Sequence, residues 1–183
     1  LQSISDVKCI CITGTNGKTS TVELLASILN DNGVKSIACG NNGVSVFDSL
    51  KGNYKYLIIE LSSYQLQYIS NLKSYISVIL NLSHDHIERH GKISNYFQTK
   101  KKIFLNSQYS IISSDINEKI DDVIKYGIDN SVIHIDGLDD NLEFINNKII
   151  FGKYAYNTRG RHDALNLCAC LAVCNIINIP IMN

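Results

Sequence analysis

Near the start of this chain a short apolar strand runs into a glycine-containing loop and then into a helix. Residues Val7 to Thr13 are apolar and rich in β-branched side chains, and Thr19 to Asn30 carries apolar residues at helical spacing. The loop sequence Gly14 to Ser20 reads GTNGKTS, which is typical of a tight turn. The order strand, loop, helix favours a parallel sheet that is covered by helices.

The same alternation continues along the rest of the chain. Its apolar runs are almost uninterrupted, which predicts strands that are buried on both faces. A β-hairpin is predicted around Asn146 and Asn147, because asparagine tolerates the positive φ of a two-residue turn. We therefore expect one domain over residues 1–183, with a three-layer α/β/α fold, a mainly parallel sheet, a small antiparallel element and a P-loop-like mononucleotide-binding arrangement. The predicted strands are Tyr56 to Leu61, Tyr75 to Leu82, Tyr109 to Ile112, Val132 to Ile135, Leu142 to Ile145 and Lys148 to Phe151, and the further predicted helices are Tyr64 to Ser70, Ile93 to Leu105, Ile120 to Tyr126 and His162 to Asn175.

The composition excludes several classes of partner. Lysine plus arginine and aspartate plus glutamate number 17 each, so no net charge favours nucleic acid or an anionic membrane. The sequence has no run of about 20 apolar residues and no charged-then-apolar leader, so we expect a cytoplasmic protein. The cysteines lie in apolar runs without the paired spacing of a zinc site, and we interpret them as reduced core residues. They are Cys9, Cys11, Cys39, Cys168, Cys170 and Cys174.

The loop Gly14 to Ser20 has the residue types that bind phosphates. Backbone N–H groups of a glycine-rich loop between strand and helix can surround phosphate oxygens. Lys18 would reach the β- and γ-phosphates, and the Thr19 hydroxyl would hold Mg²⁺. The loop is shorter than the standard pattern, which would place a glycine at Ile12. The alternative is a simple turn, but a turn does not require Lys-Thr after it, so the sequence favours nucleotide binding.

Five segments of this chain, taken in order, resemble the Mur ligase family, which includes the folylpolyglutamate synthases. Any one of them alone would be a weak signal, whereas five in order are specific. The second segment resembles the branch of the family that adds D-glutamate and differs from the sister ligases. The segments are Thr13 to Ser20 (TGTNGKTS), Glu60 to Leu66 (ELSSYQL), Asn81 to His86 (NLSHDH), Tyr96 to Phe104 (YFQTKKKIF) and His162 to Asn166 (HDALN).

The resemblance implies a site with two Mg²⁺ ions. Glu60 would hold the first with Thr19, and the alternative is a charge that favours a helix N-terminus. His86 would bind the second, although a lone histidine in such a position usually satisfies a nearby carbonyl. Lys100 stands where the family has a lysine that CO₂ carbamylates, and a carbamate can bind Mg²⁺ whereas an ammonium cannot. The alternative for Lys100 is a solvated basic face, which we expect for Lys101.

The resemblance also implies contacts to ATP and to the substrates. The amide of Asn166 would meet the adenine edge. Asp163 stands where the family usually has asparagine, and a carboxylate there can accept a hydrogen bond but not donate one. Asn41 and Ser62 would lie on the substrate side, with a turn-forming role as the alternative for Asn41. The ATP-binding residues would be Gly14, Thr15, Asn16, Gly17, Lys18, Thr19, Ser20 and Asn166, and the catalytic residues would be Lys18, Glu60, His86 and Lys100.

For the intact protein the resemblance implies ATP-dependent amide formation in peptidoglycan synthesis. A phosphoryl group would pass from ATP to UDP-N-acetylmuramoyl-L-alanine, and D-glutamate would attack the acyl phosphate. We expect a monomer that acts on these small molecules. The family's UDP-sugar and amino-acid domains have no counterpart here, so we expect residues 1–183 to be the central ATP-binding domain, incomplete at its C-terminal end and inactive alone.

Two alternatives to this function stay open. One is another ligase of the family, such as a folylpolyglutamate synthase, and the Glu60 segment speaks against it. The other is a nucleotide-binding module without ligase chemistry, which would not need His86 or a carbamylated Lys100.

Overall fold

A computed structural model of the chain describes residues 7–83, 93–138, 142–151 and 154–179. Strands and helices alternate over most of this length. In chain order the elements are β1 (Lys8–Thr13), α1 (Lys18–Asp31), β2 (Ser36–Gly40), α2 (Val46–Ser49), β3 (Tyr56–Glu60), α3 (Ser63–Tyr68), β4 (Ser74–Ile79), α4 (Ile93–Lys101) with a 3₁₀ turn (Lys102–Phe104), β5 (Ser107–Ser113), β6 (Ile124–Asp129), β7 (Val132–Ile135), β8 (Leu142–Ile145), β9 (Lys148–Phe151), β10 (Tyr154–Asn157) and α5 (Arg161–Ile176).

The strands of the described residues form one sheet in the order β10-β9-β8-β7-β6-β5-β4-β1-β3-β2. The part from β2 to β6 is parallel. The part from β6 to β10 is antiparallel and consists of successive hairpins. β1 lies inside the parallel part, between β3 and β4, so the loop that follows it is at the edge of the sheet formed by the carboxyl ends of the parallel strands. This is the edge at which parallel α/β sheets bind ligands.

Helices pack on both faces of the sheet. Successive side chains of a strand point to opposite faces, and accordingly Ile10 and Ile12 belong to one core while Cys11 belongs to the other. α1 and α5 cover the first face, and α3 and α4 cover the second. The predicted three-layer α/β/α fold with a mainly parallel sheet is confirmed.

Most predicted elements are confirmed, with small shifts at their ends. The strand at Val132–Ile135 and both strands of the hairpin have the predicted bounds. Asn146 and Asn147 form the turn with φ of 51° and 59°. The antiparallel part of the sheet is larger than predicted, because β10 adds a further strand to the hairpin.

The prediction of a helix from Ile120 to Tyr126 is wrong, because strand β6 begins within that range. Ile120 and Val123 followed by Ile124 imitate helical spacing. The stronger pattern is the alternation that continues through Tyr126 and Ile128, both of which are buried in one core. Gly127 between them leaves no room for a side chain, since a Cβ there would lie 1.9 Å from the Ser114 hydroxyl oxygen.

The cysteines are free thiols, and five of the six are buried. Their interpretation as core residues is confirmed, with Cys9 only partly covered. Cys168 is buried together with Cys170 and Cys174, because the sheet and α1 enclose this part of α5. No helix in the described part of the chain is long and apolar enough to cross a membrane.

Candidate nucleotide-binding site

The predicted phosphate loop joins the carboxyl end of β1 to the first turn of α1. Gly17 adopts a left-handed conformation with φ of 78°, and the helix begins at Lys18. The first turn reads Lys-Thr-Ser-Thr, and its backbone N–H groups have no side-chain cap among the described residues. Such N–H groups, together with the positive end of the helix dipole, favour an anion.

Two lysine side chains converge on the carbonyl oxygen of Gly14. Lys18 Nζ donates to it at 3.1 Å and to the carbonyl of Thr15 at 2.8 Å. Lys100 Nζ, from α4, donates to the same Gly14 oxygen at 2.8 Å and to Thr13 Oγ1 at 3.3 Å. The positive potential of two ammonium groups is therefore concentrated beside the loop, where it would attract phosphate oxygens.

Glu60, the last residue of β3, reaches the first turn of α1. Thr19 Oγ1 donates to Glu60 Oε2 at 2.7 Å, and Asn41 Nδ2 donates to Glu60 Oε1 at 3.1 Å. The Asn41 backbone N–H also donates to the Glu60 carbonyl. Glu60 is 2% exposed, and both its carboxylate oxygens are held by neighbours. Its position confirms neither a metal role nor a substrate role, but it excludes a freely moving surface carboxylate.

The oxygens of Thr19 and Glu60 fit a Mg²⁺ ion. A hydroxyl and a carboxylate are hard ligands, and protein-bound Mg²⁺ commonly uses one or two carboxylates with substrate phosphates and waters. The described residues contain no group of three or more His, Cys, Asp or Glu side chains that could hold a metal. A magnesium ion held by Thr19 and Glu60 would take its other ligands from water or from the phosphates of a nucleotide.

Lys100 and His86 were predicted as ligands of a second metal ion. Lys100 is 1% exposed, which rules out the solvated basic face as its setting. Its ammonium lies 4.6 Å from the centre of the Tyr96 ring, and Lys101 beside it is partly exposed. His86 lies outside the described residues. The carbamate role of Lys100 stays a prediction, and the side chain does reach the loop end of the sheet as that role requires.

A cavity of about 840 Å³ lies beside the loop, between α1, β10 and α5. Ser20 and Asn166 line its end next to the loop, and the rest of its lining mixes apolar side chains such as Leu24 and Leu171 with polar and charged ones such as Glu23. Asn166 packs on the loop so closely that a Cβ on Gly17 would lie 2.7 Å from its Oδ1. The position of Asn166 between loop and cavity suits the predicted contact with a base. Neither Thr19 nor Glu60 lines this cavity, so it would take the nucleoside and not the phosphates.

Asp163, which stands where the family usually has asparagine, has a local structural role. Asp163 lines the same cavity, and its Oδ2 accepts a hydrogen bond of 3.2 Å from the Arg159 backbone N–H. A carboxylate satisfies this N–H as well as an asparagine oxygen would. One oxygen of Asp163 therefore orders the turn before α5.

Ser62 is the N-cap of α3. Its hydroxyl accepts from the Gln65 backbone N–H, and the Gln65 side chain accepts from the Ser62 backbone N–H, which forms a capping box. Two residues of the Glu60 segment, Ser62 and Gln65, thus have a structural role as the cap of α3. The substrate roles of Ser62 and Asn41 stay predictions.

Two contacts of the loop were not predicted from the sequence. The Asn81 side chain binds the backbone of Asn16, and Tyr96 binds the hydroxyl of Thr15 at 3.3 Å. Asn81 and Tyr96 both stand at the start of segments that carried the family resemblance. That coincidence was the only signal in the sequence, because neither residue shows by type what it will contact.

Fold and loop together define an α/β domain in which a glycine-containing loop joins a buried parallel strand to a helix, as in P-loop-like proteins. The profile of the Mur ligase middle domain matches residues 12–174, and the chain belongs to the Mur ligase family. The resemblance to this family that five short segments indicated is confirmed.

Curated relatives carry the name UDP-N-acetylmuramoylalanine–D-glutamate ligase. One from Buchnera aphidicola is 34% identical over 186 residues, which are 96% of this chain and 42% of the relative. One from Colwellia psychrerythraea is 31% identical over 193 residues, which cover 93% of this chain and 40% of the relative. One from Wolbachia pipientis is 43% identical over 108 residues, 59% of this chain and 21% of the relative. The chain thus spans less than half the length of these relatives.

Solved structures of Mur ligases share the fold. MurF from Acinetobacter baumannii has a TM-score of 0.70 at 17% identity, covering 97% of this chain and 44% of that one. MurF from Thermotoga maritima, solved in complex with ADP, has a TM-score of 0.67 at 15% identity, covering 96% of this chain and 46% of that one. At such identities the likeness supports the fold alone.

Proposed function

We propose that the protein to which this chain belongs is an ATP-dependent ligase that joins D-glutamate to UDP-N-acetylmuramoyl-L-alanine. The observation that carries the ligase chemistry is the 2.7 Å hydrogen bond from Thr19 to Glu60, directly beside the loop lysine Lys18. The names of the relatives and the Glu60 to Leu66 segment support the choice of substrates.

ATP binds with its phosphates on the loop and its base in the neighbouring cavity. The backbone N–H groups at the start of α1 donate to phosphate oxygens, and Lys18 turns from the loop carbonyls to the β- and γ-phosphates. Ser20 lies where the loop meets the cavity, and Asn166 contacts the adenine edge. The mixed lining of the cavity suits a nucleoside, because apolar side chains such as Leu24 and Leu171 can pack on a purine ring while polar groups hold its orientation.

The γ-phosphoryl group passes to the terminal carboxylate of UDP-N-acetylmuramoyl-L-alanine and gives an acyl phosphate and ADP. The D-glutamate amine attacks the acyl carbon, the amide forms, and phosphate leaves. When Mg²⁺ is bound by Thr19 and Glu60, it neutralises charge on the phosphates. Lys18 supplies further positive charge, and Asn41 keeps the Glu60 carboxylate turned towards Thr19. The catalytic contribution is thus positioning and electrostatic stabilisation.

Lys100 and His86 hold a second Mg²⁺ in this proposal, with Lys100 as its carbamate. An ammonium has no acceptor for a metal, so the modification is required for this role. In the full-length enzyme Lys100→Ala lowers turnover about 10²- to 10³-fold, as loss of one such electrostatic contact commonly does. A small added carboxylate restores part of the activity. Lys101→Ala is nearly silent, and the role is wrong if Lys101→Ala is the more damaging change.

The chain acts as the central domain of a larger enzyme and does not ligate alone. The substrates approach on the side of Asn41 and Ser62, and other parts of the full-length protein hold the UDP-sugar and the amino acid. We propose that the protein is a monomer and that it works in the cytoplasm, where ATP is available.

Product analysis tests this proposal. Full-length protein is incubated with MgATP, UDP-N-acetylmuramoyl-L-alanine and D-glutamate, and the amide product is measured by mass spectrometry. The expected result is a product that depends on D-glutamate and is lost in Lys18→Ala. Amide formation by the isolated 183-residue chain above the Lys18→Ala background contradicts the fragment's inactivity. A product formed from a folate and L-glutamate instead identifies the alternative branch of the family.

A further inference from the structure

Asn81, two residues after the end of β4, binds the phosphate loop through both ends of its side-chain amide. Its Oδ1 accepts from the Asn16 backbone N–H at 2.9 Å, and its Nδ2 donates to the Asn16 carbonyl at 3.0 Å. Its own backbone carbonyl accepts from the Thr15 N–H at 3.1 Å. Residue 81 therefore makes three hydrogen bonds to two successive residues of the loop.

We infer that Asn81 is a positioning residue that fixes the phosphate loop for nucleotide binding. The inference rests on the proposed function and assigns to this side chain a task within the same site. Asn81 acts through the loop and does not itself touch the nucleotide.

The residue type follows from the hydrogen-bond pattern. The backbone of one residue, Asn16, presents an N–H and a C=O, and only an amide side chain of this length offers the matching acceptor and donor. An aspartate would keep the acceptor for the Asn16 N–H but would set an oxygen against the Asn16 carbonyl. An alanine would leave both groups of Asn16 without this partner.

The contact determines which loop groups can bind phosphate. Because the Asn16 N–H is used by Asn81, the N–H donors for phosphate are those that follow, from Gly17 onwards in the first turn of α1. The start of the loop is also held in place, because Gly14 packs directly on Leu80. A Cβ on Gly14 would lie only 3.0 Å from Leu80 Cβ. A loop that is already ordered loses less conformational entropy when the nucleotide binds, which increases affinity.

Substitution by aspartate changes the charge as well as the hydrogen bonding. Asn81→Asp keeps the acceptor for the Asn16 N–H, but its second oxygen faces the Asn16 carbonyl. Its negative charge beside the loop would also repel phosphates. We therefore expect Asn81→Asp to weaken nucleotide binding more than Asn81→Ala does.

The test measures nucleotide affinity and fold stability separately on the 183-residue chain. Calorimetric titration with MgATP gives the Kd, and thermal unfolding without nucleotide gives the Tm. Asn175→Ala is the matched control, because Asn175 also donates from its side chain to a backbone carbonyl, that of Gly137, at 3.1 Å and away from the loop.

The expected result is a Kd raised about tenfold in Asn81→Ala, the effect of two neutral hydrogen bonds, and unchanged in Asn175→Ala. The Tm should fall in both variants, and about twice as far in Asn81→Ala, because Asn81 makes two side-chain hydrogen bonds and Asn175 makes one. Should Asn81→Ala fail to fold, Asn81→Gln takes its place, because it keeps a neutral amide on a side chain one methylene longer and should also raise the Kd. A wild-type Kd in folded Asn81 variants overturns this inference alone, whereas no MgATP binding by the unaltered chain overturns the proposed function and this inference with it.

Discussion

The hydroxyl of Thr19 donates a 2.7 Å hydrogen bond to the carboxylate of Glu60 and so joins the first turn of α1 to the end of β3. The two residues come from the phosphate loop and from a separate strand, and the parallel sheet places both at the same edge. Asn41 binds the other carboxylate oxygen and completes the orientation of Glu60. The site therefore has its two candidate Mg²⁺ ligands in contact with each other.

Glu60→Gln should remove most of the benefit that Mg²⁺ gives to nucleotide binding. The amide is almost the same size as the carboxylate and can still pair with both neighbours, because its oxygen accepts from Asn41 and its NH₂ group donates to the Thr19 hydroxyl, but it carries no charge. We expect the ratio of ATP affinities with and without Mg²⁺ to fall about tenfold, in line with the loss of a charged interaction. Calorimetry in Mg²⁺ and in EDTA measures the ratio.

Glu118→Gln is the control for that change, because Glu118 is exposed and the substitution removes the same charge. The ratio should stay at the wild-type value. A Glu60→Gln chain that keeps the full magnesium effect would show that Glu60 has only a structural task.

Gly17→Ala should destabilise the chain more than Gly33→Ala. Both glycines have positive φ, 78° and 73°, so each substitution carries a backbone cost of about 1 kcal/mol. A Cβ at Gly33 meets nothing within 4 Å, whereas one at Gly17 lies 2.7 Å from Asn166 Oδ1. We expect about 1 kcal/mol of additional destabilisation for Gly17→Ala, because the Asn166 side chain has to move.

Urea unfolding measures both free energies of unfolding. Gly17→Ala combined with Asn166→Ala should lose the additional cost and keep the backbone cost. Equal free energies for the two single glycine variants would mean that Asn166 does not press on the loop.

The buried thiols should resist alkylation in the folded chain. Burial raises the pKa of Cys168 to about 12 and that of Cys174 to about 12, and it raises the pKa of Cys170 well above its usual value. Treatment with iodoacetamide at pH 8 should label Cys9 first, since it is the partly exposed one, and should label all six only in urea. Mass spectrometry counts the labels, and rapid native labelling of Cys168 or Cys174 would contradict the packing of α5.

The same thiols give the stability a pH dependence of known sign. A pKa that is raised in the folded chain stabilises it fully below the pKa of the unfolded thiol and less as pH rises. The contribution of Cys168 and Cys174 should therefore be present below about pH 9 and be lost between about pH 9 and 12. Replacing both by alanine should flatten this part of the curve of unfolding free energy against pH.

The sequence predicted those parts of the fold in which one local pattern dominates. The hairpin strands at Leu142–Ile145 and Lys148–Phe151 were predicted correctly, because their asparagine turn and apolar spacing agree. β2 was not predicted, because its five residues SIACG show no clear strand pattern. Its strand conformation depends on parallel pairing with β3. The error at Ile120 to Tyr126 arose where two periodicities overlap, and burial of Tyr126 in the sheet decided between them.

Candidate site residues could be predicted from the sequence only where the residue type is itself typical of a nucleotide site. The loop and Glu60 could be found because lysine, threonine and a carboxylate at strand ends are typical of nucleotide sites. The hydrogen bonds of Asn81 to Asn16 could not, because an asparagine can serve many partners and the sheet alone brings the two together. The sequence therefore does not predict which partners neutral polar side chains contact in the folded chain.

The central claim is that the loop Gly14 to Ser20 binds the phosphates of ATP. Calorimetric titration of MgATP into the 183-residue chain and its Lys18→Ala variant tests it most directly, with the exposed Lys51→Ala as control. We expect measurable binding by the wild type and by Lys51→Ala, and a Kd about 10- to 100-fold higher in Lys18→Ala, because a charged hydrogen bond to phosphate is lost. Equal affinities of the wild type and Lys18→Ala would contradict the assignment of the loop.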